Sequence, residues 1–185
     1  MKRYFLVLAL LSSALVLAAF VLGVCFLMER SQGQVAPAFD QPLANNSFAY
    51  HMIIAIVATL ACLFTHCLAF TYLLGTGKWV KEVAAAYDLP ADGWPRQTRQ
   101  FKSAVTRWLL LAVALCILAA VTGAGAQTEP GSIWAPAHAV LAVVVVFCNS
   151  FVFWKEYQVI VANETVLVEV KAAADALRAA SNPSD

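Results

Sequence analysis

Residues 50–74 read YHMIIAIVATLACLFTHCLAFTYLL, a run of 25 without a single Asp, Glu, Lys or Arg. Wound as a helix at a rise of about 1.5 Å per residue, it exceeds the roughly 30 Å hydrocarbon thickness of a bilayer. In such a medium the backbone has to satisfy its own hydrogen bonds, so a helix is the expected form. The whole chain agrees with this stretch. Of its 185 residues, 62% are hydrophobic and 12% charged, against roughly 45–50% and 25% in a soluble domain. Its formal charge of +1 offers no basic excess for nucleic acid.

Three more segments meet the length of a span, at about 4–28, 108–123 and 133–154, the third of the four being the shortest. The expected fold is therefore all-α, a polytopic four-transmembrane-helix bundle over residues 1–154, with helical extensions and a helical tail over 155–185 on the cytoplasmic side. Lys2 and Arg3 precede the first segment. Its apolar core is longer than the 7–15 residues of a cleaved signal peptide, and it reads as a retained anchor. Cations set the direction. Lys78, Lys81, Arg96, Arg99, Lys102 and Arg107 fall in the middle loop 75–107, and Lys155, Lys171 and Arg178 in the tail; Arg30 alone is left for the opposite side. Both termini are thus expected in the cytoplasm, the membrane being a bacterial plasma membrane. Trp79, Trp108 and Trp154 near the inner boundary and Trp134 near the outer one fit that placement. Small residues four apart, such as Ala19 with Gly23 and Ala112 with Cys116, would let helices approach closely.

The outer connection holds Gly33, Pro37, Pro42 and Asn45-Asn46-Ser47 and reads as irregular, the last three matching a short glycosylation pattern. In the inner loop, Lys78 to Tyr87 predicts a short interfacial helix, Pro90, Gly93 and Pro95 break it, and Thr98 to Arg107 resumes it, with basic residues able to reach lipid phosphates. The tail carries a stripe at alternating spacings of three and four: Ile160, Asn163, Leu167, Val170, Ala174 and Leu177. It predicts a helix that pairs with another helix, Asn163 fixing register and Glu156, Glu164 and Glu169 lying off the stripe. Two short strands, 158–161 and 166–170, are the competing reading, since Val and Ile favour strands.

Three histidines fall in or at the ends of the spans. Intramembrane ionisable groups are costly and mark function by default. His51 and His138 are expected at one depth on two helices, where neutral imidazoles could serve as axial ligands of one haem b. Their other role would be hydrogen bonding to headgroups or carbonyls. His51 and His66, fifteen positions apart on one helix, resemble the arrangement in two-haem b-type cytochromes. That resemblance implies a matching pair on a partner helix, and here no histidine stands opposite His66. His66 with Cys62 and Cys148 is a candidate metal set, soft donors suiting copper; packing of the cysteines, with His66 bonded to a threonine hydroxyl or to Asn149, is the alternative. No cysteine pair has disulfide or zinc-finger spacing. The spans lack the paired carboxylates or buried cations of a carrier, and no serine or acid stands in catalytic spacing with a histidine. Catalysis by this chain alone is not expected. The leading functional expectation is a membrane subunit or scaffold that engages another membrane protein, or a second copy, through its tail stripe (Ile160, Asn163, Leu167, Val170, Leu177) and inner loop. The alternative is a single-haem electron-transfer subunit using His51 and His138.

Overall fold

A computed structural model describes residues 1–32, 46–90, 93–129 and 132–181. Within them the chain forms α1 (Lys2–Ser31), α2 (Asn46–Ala86), α3 (Trp94–Thr128) and α4 (Trp134–Ser181), and no strand. All four are long and apolar enough to cross a membrane. The irregular outer connection and its glycosylation pattern lie largely outside the described residues.

The helices run up and down in turn. Ser12 meets Thr65 and His51 meets the carbonyl of Ala19, so α1 is antiparallel to α2; Asn149 meets Cys116 and Trp94 meets Glu169, so α3 is antiparallel to α4. α2 and α4 approach across one diagonal, whereas α1 and α3 stand farther apart across the other. The central layer packs Phe5, Ala9, Cys62, Ala69, Cys116, Val145, Phe153 and Ile160. Leu10, Leu60, Leu110 and Phe147 point outward, each more than half exposed. Apolar residues cover the outside while His66, Glu156, Asn149 and Asn163 are buried inside, the inverse of a soluble bundle.

The middle loop expected over 75–107 is mostly helix. α2 continues without a break through Gly75 and Gly77 to Ala86, and α3 begins at Trp94 with Pro95 in its first turn, where proline costs no hydrogen bond. Helical glycine costs about 1 kcal/mol, and packing offsets it: Val80 is fully buried against Val166 and Val170, with Val83, Trp94, Phe101 and Leu167 around them. The chain reverses at Asp88, whose φ of 52° is tolerated better by Asp than by most residues.

α4 is one helix of 48 residues, so the tail does not form the two strands. Most of its buried residues, Val145, Asn149, Val152, Glu156, Ile160, Asn163, Val166 and Val170, recur at spacings of three or four and extend the buried face toward the N-terminus, with Val166 in place of Leu167. Ile160, Asn163 and Val170 are covered by the chain's own helices, Leu167 is partly covered, and Leu177 remains exposed. Most of the stripe expected to grip a partner is used within the chain. The reason is the length of α2 and α3: their extensions stand beside the tail and take its apolar face first.

Candidate functional site

The polar residues of the bundle fall in layers along its axis. The layer farther from the termini is the pair His51 and His138, from diagonal helices, with ring centres 6.2 Å apart and planes at 76°. Each ring is tied down the same way. His51 Nδ1–H donates to the carbonyl of Ala19 at 2.8 Å, and His138 Nδ1–H donates to the carbonyl of Ala119 at 3.0 Å. A glycine four residues on makes room for each ring. A methyl group at Gly23 would stand 2.9 Å from His51 Cε1, and one at Gly123 3.0 Å from His138 Cε1.

These contacts expose an internal two-fold relation. Ala19, Gly23 and His51 in the first hairpin correspond to Ala119, Gly123 and His138 in the second. Three pairs 87 positions apart meet across the axis: His51 with His138, His66 stacked on Phe153 at 4.7 Å, and Thr76 hydrogen-bonded by Asn163 at 3.0 Å. A ligand seated between His51 and His138 would receive the same nitrogen from each half.

With Nδ1 of both rings acting as donor, Nε2 carries the lone pair, the arrangement in which histidine ligates a metal while a carbonyl fixes its tautomer. The two rings meet edge to face with their centres 6.2 Å apart, each with one Nε2 lone pair to offer a ligand. Below the pair lies a cavity of about 70 Å³, lined among others by Ala55, Ala58, Thr59, Cys62, Cys116 and Ala142. That volume suits an ion with a few waters. Sites that enclose drug-sized ligands or cofactors run from about 300 to 1,000 Å³, so the space beside the pair does not fit a porphyrin.

The second polar layer is His66, fully buried. Its Nδ1 lies 2.9 Å from Glu156 Oε1 and its Nε2 3.0 Å from Asn149 Oδ1. Asn149 Nδ2–H donates to the carbonyl of Val145, which fixes the amide so that Oδ1 faces His66, and it also reaches Cys116 Sγ at 3.5 Å. His66 Nε2 is therefore a donor, and the Glu156–Nδ1 contact holds one shared proton.

This layer corrects two expectations. His66, Cys62 and Cys148 are not gathered as a metal site: both ring nitrogens of His66 are engaged, Cys62 is buried beside Cys116, and Cys148 is partly exposed. Among the described residues no group of three or more His, Cys, Asp or Glu is placed to hold a metal. Glu156 is also not an off-stripe surface acid, being 0% exposed. Its signal was in the sequence, since Asn149, Glu156, Asn163 and Val170 recur at every seventh position; carrying the stripe back by one heptad from Asn163 places Glu156 inside. The bond from His66 to Asn149 is the one expected for a packed histidine.

No protein-family model matches the chain, and neither does any curated protein or any solved structure.

Proposed function

We propose that this chain is an integral membrane subunit without catalysis of its own, and that its working feature is a two-donor seat for one metal-centred group between His51 and His138. In this reading both termini and the helical extensions lie in the cytoplasm of a bacterium, and the spans cross its plasma membrane. Cation placement supports the direction. At the end that holds the termini, Lys155 stands over Trp154 at 4.9 Å and Arg107 over Trp108 at 5.7 Å, the aromatic and basic pairing expected at a headgroup layer.

The observation that carries the reading is the symmetric anchoring of the pair: two imidazoles from diagonal helices, ring centres 6.2 Å apart, each Nδ1 held by a backbone carbonyl and each Nε2 without a hydrogen-bond partner among the described residues. Because the tail stripe is occupied within the chain, the partner contacts belong to the outward apolar faces and to the exposed parts of the extensions, such as Leu177 and Val168. The partner in this reading is another membrane protein or a second copy.

A second reading, single-haem electron transfer, is favoured by donor count. Two protein ligands complete a haem iron, which brings its own equatorial nitrogens, whereas a bare ion would need further ligands from water. The small cavity weighs the other way. Absorption spectra of the detergent-purified protein, oxidised and reduced, with metal analysis of the same sample, separate the readings. Metal bound in the wild type without a Soret band, and lost in His51→Ala or His138→Ala, supports the ion seat. A Soret band that sharpens on reduction and disappears in the same variants establishes haem. Absence of both metal and colour after loading with copper, zinc, iron and haem overturns the seat.

A further inference from the structure

The pair His66–Glu156 is a costly way to hold a bundle together. A carboxyl and an imidazole, both 0% exposed, sit where apolar residues of the same size would pack with less desolvation cost. Glu156 Oε1 meets His66 Nδ1 at 2.9 Å, whereas Glu156 Oε2 is buried with no hydrogen-bond partner among the described residues. An interior carboxylate–imidazolium pair is repaid only when its remaining lone pairs are satisfied. The orphaned Oε2 therefore selects the neutral form, in which the Glu156 hydroxyl donates to Nδ1 and His66 Nε2–H donates to Asn149 Oδ1.

Among the described residues no fixed charge stands against the pair. α1 contributes Phe5, packed edge-on against Phe153, and Ser12, hydrogen-bonded to Thr65. The titratable neighbours are thiols, Cys62 from α2 and Cys116 from α3. Polar groups continue along the axis on both sides. Toward the far end come Asn149, the two thiols and the cavity below His51 and His138; toward the termini come Asn163 and Thr76, one heptad beyond Glu156.

We propose that His66–Glu156 is a proton-exchange site inside the bundle, with Glu156 Oε2 as the atom at which a proton arrives. The step balances as follows. A proton binds Oε2 while the Oε1 proton crosses to His66 Nδ1, so one O–H bond forms, one O–H bond breaks and one N–H bond forms. The product is a neutral carboxylic acid beside an imidazolium, the site having gained one proton and one positive charge. Release runs the same steps in reverse. Such a site answers negative charge arriving elsewhere on the axis, and it stands whether or not a metal sits between His51 and His138.

Infrared spectroscopy of the full chain in detergent, labelled with ¹³C-glutamate and transferred from H₂O to D₂O at neutral pH, tests this directly. The expected result is one protonated glutamic acid C=O band that shifts within the time of mixing, is absent from Glu156→Gln and moves in frequency in Glu156→Asp. The labelled wild type decides the matter even if a variant fails to fold. Absence of a protonated band would mean a permanently ionised carboxylate, and a band that ignores D₂O would mean a sealed structural hydrogen bond; either overturns the proposal.

Discussion

His51 and His66 stand on the same helix, and the internal two-fold relation gives each a counterpart on α4: His138 for the first, Phe153 for the second. At the first position both halves supply an imidazole, glycines at 23 and 123 leave room for the rings, and the space below is lined by alanines. At the second, the counterpart is a phenyl ring stacked at 4.7 Å, and both nitrogens of His66 are engaged inside a packed core. The same residue type has one ring nitrogen hydrogen-bonded in one layer and both engaged in the other. What decides is the neighbour that the opposite half presents, not the histidine.

The largest expected effect falls on the packed layer. Glu156→Ala removes the partner of His66 and leaves a void, at a cost of about 3–5 kcal/mol; His51→Ala, in the looser layer, costs about 1–2 kcal/mol, the loss of one partly buried hydrogen bond. Reversible unfolding in mixed micelles measures both, and equal losses would erase the distinction. Val170→Asp comes next. It places a charge in the buried contact of the extensions with Val80 and Val166, at a cost of about 3 kcal/mol or more, while Leu177→Asp on the exposed part of the same stripe changes stability by less than about 0.5 kcal/mol. Protease sensitivity of the tail reports the difference.

Gly23→Ala sharpens the seat itself. The added methyl group pushes on the His51 ring, at about 1–3 kcal/mol, and the penalty vanishes in a His51→Ala background; a penalty that persists there means that the glycine serves helix packing instead. The smallest effect is one of pH. Glu164 accepts the backbone N–H of Lys2 at 2.9 Å and pairs with the amino group of Met1, and these contacts hold its carboxyl below the ordinary glutamate range despite some opposing burial. A depressed folded-state value means that the stabilisation is complete above the ordinary glutamate value and is lost as pH falls through the depressed one. At about a quarter exposure its worth is below about 1 kcal/mol. A Glu164→Gln chain should therefore lose the acid-side slope in a pH series of unfolding midpoints and be otherwise close to wild type.

Much of the architecture was legible in residue order. Hydropathy alone marks four helices, because a 25-residue run without a charge has few other places to go, and the alternation from Ile160 to Leu177 marks one buried face. The extensions were less legible. Lys78 to Tyr87 is expected as a short separate helix ended by Pro90, Gly93 and Pro95, and only the packing of Val80 against Val166 and Val170 explains why α2 runs on into it past Gly75 and Gly77. Glu156 falls off the stripe when the stripe is counted forward from Ile160. Its burial follows from α2 bringing His66 to the same level, a contact spanning 90 positions of sequence that no local pattern encodes.

By itself, then, the sequence determined the number of helices, their order, their apolar outer faces and the cation asymmetry between the two ends, since these depend on composition within windows of about one span. The tertiary structure decided which face of each helix turns inward. That choice made partners of His51 and His138, gave His66 to Glu156 and Asn149, and closed the tail stripe against its own chain. Helix periodicity fixes which residues share a face, but only the approach of the neighbouring helices fixes what that face meets.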